Sequence, residues 1–464
     1  LTPPKDHTCE WRDAASALQE RVAKLEATIA KLESARMRPH RSEKRPKVKL
    51  PPPVPPAPPA AAPRPNDDIR HAVLETAVEK LAVPEAKRTC PECSSTSLRA
   101  VGAGKTSTVY DYVGPHFRRR VCQRETLSCR CGEYIVTAAP PERVGEKVQF
   151  SASFVAHLVT TKCADNRAQY NLAKEYERLG IPISRSTINS LFHRAGKELA
   201  PLVERLFERI RDSVVVQADE TSIKLQRATK RAFIWAFLGG GLIGYRFAED
   251  RSGETPRTTL LASPGYIVVD AFTGYNKLLA LGGRVRGGCL AHARRKIFEA
   301  DEKSIALDLI GEIYALERRA KTSGITGTSA HAELRRMARP HFARLLIWAR
   351  EARRTNGPKS LMGRAAGYIV NNFRELGLFL RTPLVPIDNN ASEAALRRIA
   401  LGRKNYLFVG NVEAGKRLAG LYSLVASCEA NGKNPVAYLT DVLLRIGRPG
   451  QKIDELLPDR WIPS

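Results

Sequence analysis

Three features of the sequence predict a multi-domain α/β protein. β-Branched runs lead into acids at Asp219 and Asp270, helically spaced apolar residues follow from Leu290 onward, and a proline tract sets both apart from an N-terminal heptad-like stretch. At 464 residues the chain exceeds one ordinary hydrophobic core, so several domains are expected. Its 75 Lys and Arg against 48 Asp and Glu leave a formal charge of +27, which favours a polyanionic partner such as nucleic acid. Charge alone fits a ribosome-associated or merely basic protein as well. The longest apolar stretch, Ala232 to Phe247, is broken by Gly239, Gly240, Gly241 and Gly244. It is shorter than the roughly 20 residues that span a bilayer, so no membrane location is expected.

Taken in order, residues 1–38 carry Ala15, Leu18, Val22, Leu25, Ile29 and Leu32 at alternating spacings of three and four, the seam of a coiled coil. Such a short seam serves either to dimerise the chain or to dock one amphipathic helix on its own surface. The chain begins at Leu1, consistent with an unconventional start codon or a truncated N-terminus. Residues 39–68 form a linker: a basic stretch runs into PPPVPPAPPAAAPRP, a polyproline-like sequence that cannot build a core.

Residues 69–145 contain Cys90 and Cys93, then Cys129 and Cys131. Nine cysteines in the chain are too sparse for a disulfide framework, and two close pairs joined by a loop are the ligand pattern of a zinc ribbon holding one structural Zn²⁺. The second pair is spaced C-x-C, which leaves Cys122 as a substitute ligand. A redox pair is the competing reading. Residues 146–205 read as helical, with Gly180 ending one helix and Ser184 capping the next. As a helix-turn-helix this segment would turn Arg185, Ser186 and Asn189 toward DNA; an ordinary helical hairpin explains the pattern equally.

Residues 206–415 hold the acids. Val214–Val216 leads into Asp219 and Gly265–Val269 into Asp270, each resembling a buried strand that delivers a carboxylate to the end of a sheet. The glycine-broken stretch between them reads as a hairpin. Helices are expected over Leu290 to Ala300, Ile305 to Lys321, His331 to Arg354 and Met362 to Leu380, most of them within a helical insertion at about 299–383. Glu393 then lies in the first turn of another helix. Asn390 followed three residues later by Glu393 is a variant capping box, so capping competes with catalysis as its explanation. Residues 416–464 complete the chain as a helical segment.

Converging acids suit phosphodiester chemistry, because Mg²⁺ or Mn²⁺ prefers carboxylate oxygen and a pair of such ions can serve both the attacking and leaving oxygens. The segments QADET (217–221), RSGETPR (251–257), VVDAFTGYN (268–276), GCLAHARRKIFE (288–299), IDNNASEAALR (387–397), GRKNYLFVG (402–410) and NGKNPVAYL (431–439) resemble, in order, the blocks of the IS66-family insertion-sequence transposases. The resemblance runs from about residue 70 to the C-terminus. It implies an RNase H-like core of the DDE type, with Asp219, Asp270 and Glu393 as catalytic acids holding two Mg²⁺ or Mn²⁺. It further implies cleavage at transposon ends followed by strand transfer, with double-stranded DNA as partner, a homodimer or higher oligomer, and element-encoded accessory proteins.

Two departures stand out: Asp270-Ala271-Phe272 where the family has Asp-Gly-Tyr, and the C-x-C pair. Cys289 and His292 form a C-x-x-H feature that supports the site, touches DNA or is a buried structural pair; as a second zinc site it lacks two ligands. Arg294, Arg295, Lys296, Arg403 and Lys404 are candidate phosphate contacts, against the default of a solvated basic face. A nuclease without strand transfer and a catalytically inactive DNA-binding protein are the rival functions. The expected location is cytoplasmic and nucleoid-associated.

Overall fold

A computed structural model describes residues 126–128, 135–137, 144, 150–181, 183–226, 229 and 231–463. All of these residues belong to one compact unit, Thr108–Ser464. The coiled-coil segment, the linker and the cysteines at 90, 93, 122, 129 and 131 lie outside the described residues. Two short strands, β1 (Thr126–Ser128) and β2 (Ile135–Thr137), pair antiparallel on either side of Cys129 and Cys131 in the sequence.

Four helices follow: α1 (Ala152–Cys163), α2 (Gln169–Arg178), α3 (Arg185–Glu198) and α4 (Ala200–Arg211). Gly180 adopts φ +75° just past α2, and the Ser184 hydroxyl accepts the Thr187 N–H at 3.1 Å at the start of α3. These are the stop and start expected there.

The five-stranded sheet comprises β3 (Val215–Ile223), β4 (Ala232–Gly239), β5 (Leu242–Ala248), β6 (Gly265–Val268) and β7 (Arg284–Gly287), in the order β5-β4-β3-β6-β7. The first three strands are antiparallel, whereas β3, β6 and β7 run parallel. Gly240 and Gly241, at φ +59° and +78°, make the tight β4–β5 turn that needs positive φ at both positions. Strand β3 runs beyond Asp219 to Ile223, so this acid is not at a strand end as expected. Its parallel pairing with β6 nevertheless stops at Gln217–Val268, two residues before Asp219.

Two short helices, α5 (Glu254–Leu260) and α6 (Asn276–Leu279), flank β6 in sequence. Then come α7 (Leu290–Ala300), α8 (Ile305–Thr322), α9 (Ser329–Arg336), α10 (Arg339–Thr355), α11 (Leu361–Asn371) and α12 (Phe373–Leu376). The single helix expected over His331 to Arg354 is two, because Pro340 lacks an N–H and occupies the first turn of α10. The helix expected over Met362 to Leu380 also breaks: the Asn372 side chain donates to the Tyr368 carbonyl at 2.7 Å, capping α11.

The chain ends with α13 (Asn390–Tyr406), α14 (Val412–Ala430) and α15 (Pro435–Arg445). Helix α4 passes through residue 206 and α14 through residue 416, so those two expected boundaries fall within continuous helices.

One hydrophobic core joins α1–α4, the sheet and α13–α15. Helix α14 covers the free edge of β5. Its Ser423 and Ser427 hydroxyls accept the N–H groups of Tyr245 and Ile243 at 2.7 and 2.8 Å, satisfying an edge that would otherwise invite another strand. A second core, with Leu290, Ile297, Ile310, Phe342, Leu345 and Ile369, lies among α7–α11. Arg335, 2% exposed, anchors it by donating twice to Glu317 at 2.7 Å and once each to the carbonyls of Phe379, Thr382 and Val385.

Candidate active site

Asp219 lies on β3 with its carboxylate accepting the Glu220 N–H at 2.9 Å. Burial pushes its pKa up to about 7, and the charges of Glu220, Asp270 and Glu393 act in the same direction against that one hydrogen bond. Acids from β3, the end of β6 and the start of α13 therefore share one electrostatic environment.

Glu220 is its better-supported neighbour. The Glu220 side chain is 1% exposed, pairs with Arg251 at 2.5 Å and accepts the Tyr275 hydroxyl at 3.2 Å. The Arg251 guanidinium lies 4.1 Å from the centroid of the Phe272 ring. That placement gives the departure at Phe272 a physical role: its ring takes a cation–π contact and packs among Trp235 and Tyr275, with no hydroxyl required. Gly253 allows the RSGETPR and VVDAFTGYN segments to touch, since a Cβ there would stand 1.8 Å from the Gly274 carbonyl oxygen.

Asp270 lies two residues past the end of β6 and accepts the Phe272 N–H at 2.9 Å, a local turn that fixes its carboxylate. The third acid arrives through a chain of contacts. The Leu290 N–H donates to the Ile387 carbonyl, the Asn389 N–H to Cys289 Sγ at 3.2 Å, and the buried Asn389 amide to the Ala218 carbonyl at 2.8 Å. Gln217 donates to the Asp388 carbonyl at 3.0 Å, and the Tyr314 hydroxyl to the Asp388 carboxylate at 2.8 Å. Helix α13 thus begins against the strand that carries Asp219.

The capping-box explanation of Glu393 does not hold. Asn389 is the N-cap and its own side chain makes no cap bond; the Asp388 carboxylate accepts the Asn390 N–H at 3.1 Å, and the Glu393 carboxylate faces Arg295 at 3.1 Å and His292 Nδ1 at 3.7 Å. Glu393 Oε1 and His292 Nδ1 are both buried without a hydrogen-bond partner among the described residues. Cys289 and His292 consequently have different tasks, the thiol holding Asn389 and the imidazole facing Glu393.

Among the described residues no group of three or more His, Cys, Asp or Glu side chains is arranged to hold a metal ion as it stands. The donor chemistry still fits a hard divalent cation. Asp219 is a desolvated carboxylate with no cationic partner among the described residues, and Glu393 presents a buried oxygen that accepts no hydrogen bond from them.

The candidate DNA contacts divide. Arg294, Arg295 and Lys296 are exposed on α7, with Arg295 engaged by Glu393 and the Lys296 ammonium 5.5 Å from the Tyr368 ring centroid. Lys404 is exposed on α13, whereas Arg403 donates to Thr221 Oγ1 at 2.9 Å and the Ser222 carbonyl at 2.6 Å and so braces β3. Arg185, Ser186 and Asn189 are all exposed along the start of α3.

Comparison with known proteins decides the family. The family model described as "Transposase IS66 family" matches residues 147–417, and that of the IS66 C-terminal element matches residues 423–458. The chain belongs to the IS66 transposase family. Two relatives from Sinorhizobium fredii (strain NBRC 101917 / NGR234) are similar over most of both chains. The uncharacterized protein y4jD is 30% identical over 407 residues, 82% of this chain and 79% of the relative. The uncharacterized protein y4qI is 27% identical over 430 residues, 87% of this chain and 78% of the relative. Membership in the IS66 family places the chain among DNA-transposition enzymes. No helix among the described residues of this transposase is long and apolar enough to cross a membrane.

The sequence of this IS66 protein does not by itself distinguish Glu220, Arg251 and Tyr275, or Gln217 and Asn389, as site residues. All five lie inside the motif segments, which was the available signal. What that signal lacked was direction: nothing in QADET says which of two adjacent acids will take an arginine.

Proposed function

We propose that the chain is a DDE-type transposase that cleaves DNA at transposon ends and transfers the freed 3′ ends into target DNA. Asp219, Asp270 and Glu393 would hold two Mg²⁺ or Mn²⁺ ions. The observation that carries the reading is Asp219, a desolvated carboxylate acted on by the charges of its neighbour Glu220 and of two acids from distant parts of the chain, Asp270 and Glu393. When bound, such ions activate water or a DNA 3′-hydroxyl and offset charge on the leaving oxygen.

The protein's own residues prepare the site. Asn389 and Gln217 tie the start of α13 to β3, Arg295 and His292 face Glu393, and Arg251 with Tyr275 holds the Glu220 carboxylate. A central strand with an antiparallel hairpin on one side and two parallel strands on the other supports an RNase H-like core interrupted by the α7–α12 insertion.

The same reading assigns one structural Zn²⁺ to Cys90, Cys93, Cys129 and Cys131, with Cys122 as the alternative fourth ligand, and dimerisation to the N-terminal heptads. Arg185, Ser186, Asn189, Arg294, Arg295, Lys296, Arg403 and Lys404 are the proposed DNA-facing set, with Arg403 acting through β3.

The test uses purified protein, transposon-end duplex and pre-cleaved ends with Mg²⁺ or Mn²⁺. Cleavage and integration products are expected, and Asp219→Asn, Asp270→Asn and Glu393→Gln should each reduce them at least about 10³-fold while DNA binding persists. Cleavage without integration would favour a nuclease. Cleavage unchanged in Asp219→Asn would remove this acid from the site.

A further inference from the structure

A cleft of about 890 Å³ lies away from the acids, between the start of α3 and residues 405–410. Among the described residues its lining includes Lys162, Arg185 and His193 and no Asp or Glu. At its floor Lys162 is 8% exposed, with its ammonium 3.8 Å from the Tyr406 ring centroid. No carboxylate pairs with it among the described residues, and burial pushes its pKa down to about 8. A desolvated cation of this kind favours an anion that can replace lost water.

The opposite rim is apolar and held out by the backbone. Helix α13 ends at Tyr406, and Leu407 then adopts φ +61° while the Phe408 N–H donates to the Tyr406 carbonyl at 2.6 Å. This is a strained three-residue turn for a leucine. The next residue is pinned again: the Val409 N–H donates to the Lys224 carbonyl at 2.9 Å and the Gln226 N–H to the Val409 carbonyl at 2.8 Å. Leu407 and Phe408 consequently stand 61% and 47% exposed, facing solvent from a fixed backbone. Strain that presents an aromatic ring to water does nothing for the core; it suits a ligand with a flat apolar face.

The cleft volume lies within the roughly 300–1,000 Å³ of small-ligand sites, room for an unpaired nucleotide or two and not for a duplex. Resting on the DNA-binding reading above, we propose that this cleft takes an unpaired DNA strand, with a base against Phe408 and its phosphate facing Lys162 and Arg185. Stacking on an exposed ring beside a cationic floor is a general means of holding single strands.

The experiment measures the affinity of the full chain for a 12-nucleotide single strand, for the matching duplex and for free thymidine monophosphate. Phe408→Ala should weaken single-strand binding roughly 5- to 150-fold with less than about twofold change for the duplex, and Phe408→Trp should restore it. Lys162→Met should also weaken the single strand. Because Lys162 is buried, a melting curve accompanies that variant, and Phe408→Ala, at an exposed position, carries the test if it fails to fold. Single-strand affinity within twofold of the unmutated protein in Phe408→Ala would overturn the proposal, as would an equal loss for both DNA forms. Free nucleotide binding as tightly as the strand would replace it with a mononucleotide site. Binding of duplex but no single strand sinks the cleft alone; binding of neither sinks the DNA reading too.

Discussion

Asp219 and Glu220 are adjacent in sequence and meet opposite fates. Glu220 is buried against Arg251 and Tyr275, whereas Asp219 is left with one backbone N–H and the repulsion of other acids. Asp219 therefore binds its proton more tightly in the folded protein, at about 7, than at the ordinary value of 3.8. Its contribution to metal-free stability is fully present below about pH 4 and is lost as the pH rises through about 7. Asp219→Asn should remove that loss. In metal-free buffer the variant is expected to be more stable than the parent at pH 8 by on the order of 4 kcal/mol, with the gap closing by pH 4. Thermal unfolding across that range checks it, and a gap independent of pH would show that Asp219 is not desolvated as described.

At the scale of elements, the start of α13 is the critical junction. Asn389 is fully buried and donates to the Ala218 carbonyl beside Asp219, a bond between residues on different elements that no local pattern encodes. Asn389→Ala is expected to cost about 1–3 kcal/mol in urea unfolding by leaving that carbonyl unpaired. Metal-dependent DNA cleavage should fall at least about tenfold at temperatures where the variant stays folded, because Glu393 loses its registry with β3. Cleavage within twofold of the parent would mean the junction is structural only. The strands, the glycine hairpin and the α2–α3 turn were legible from alternation, glycine pairs and capping residues, which act over a few positions. The breaks at Pro340 and Asn372 were missed although both residues are helix-boundary types, because the flanking apolar spacing continues through them.

Across the whole molecule, the sheet and the α7–α11 insertion have separate hydrophobic cores, which predicts separable stability. Arg335 is the point to probe. Its guanidinium satisfies Glu317 and three carbonyls, so Arg335→Met strands a carboxylate and several acceptors inside the insertion, at a cost of about 3–5 kcal/mol. Hydrogen exchange should rise across residues 305–380 before it rises in β3–β5. Uniform exchange in both regions would show that they unfold as one unit.

The sequence by itself determined the α/β character, the hairpin, the helical run after Asp270 and, through seven ordered motif segments, membership in the IS66 family. Those features rest on short-range periodicity or on residue identity. Only the tertiary structure decided that Glu393 faces Arg295 and His292 and does not cap its helix, that Arg403 braces β3, and that Glu220 takes the arginine while Asp219 does not. It alone placed Phe408 across a cleft from Arg185. The reason is the same in each case: a side chain's charge state and partner depend on what folding brings within a few ångströms, and these partners lie tens to hundreds of positions away along the chain.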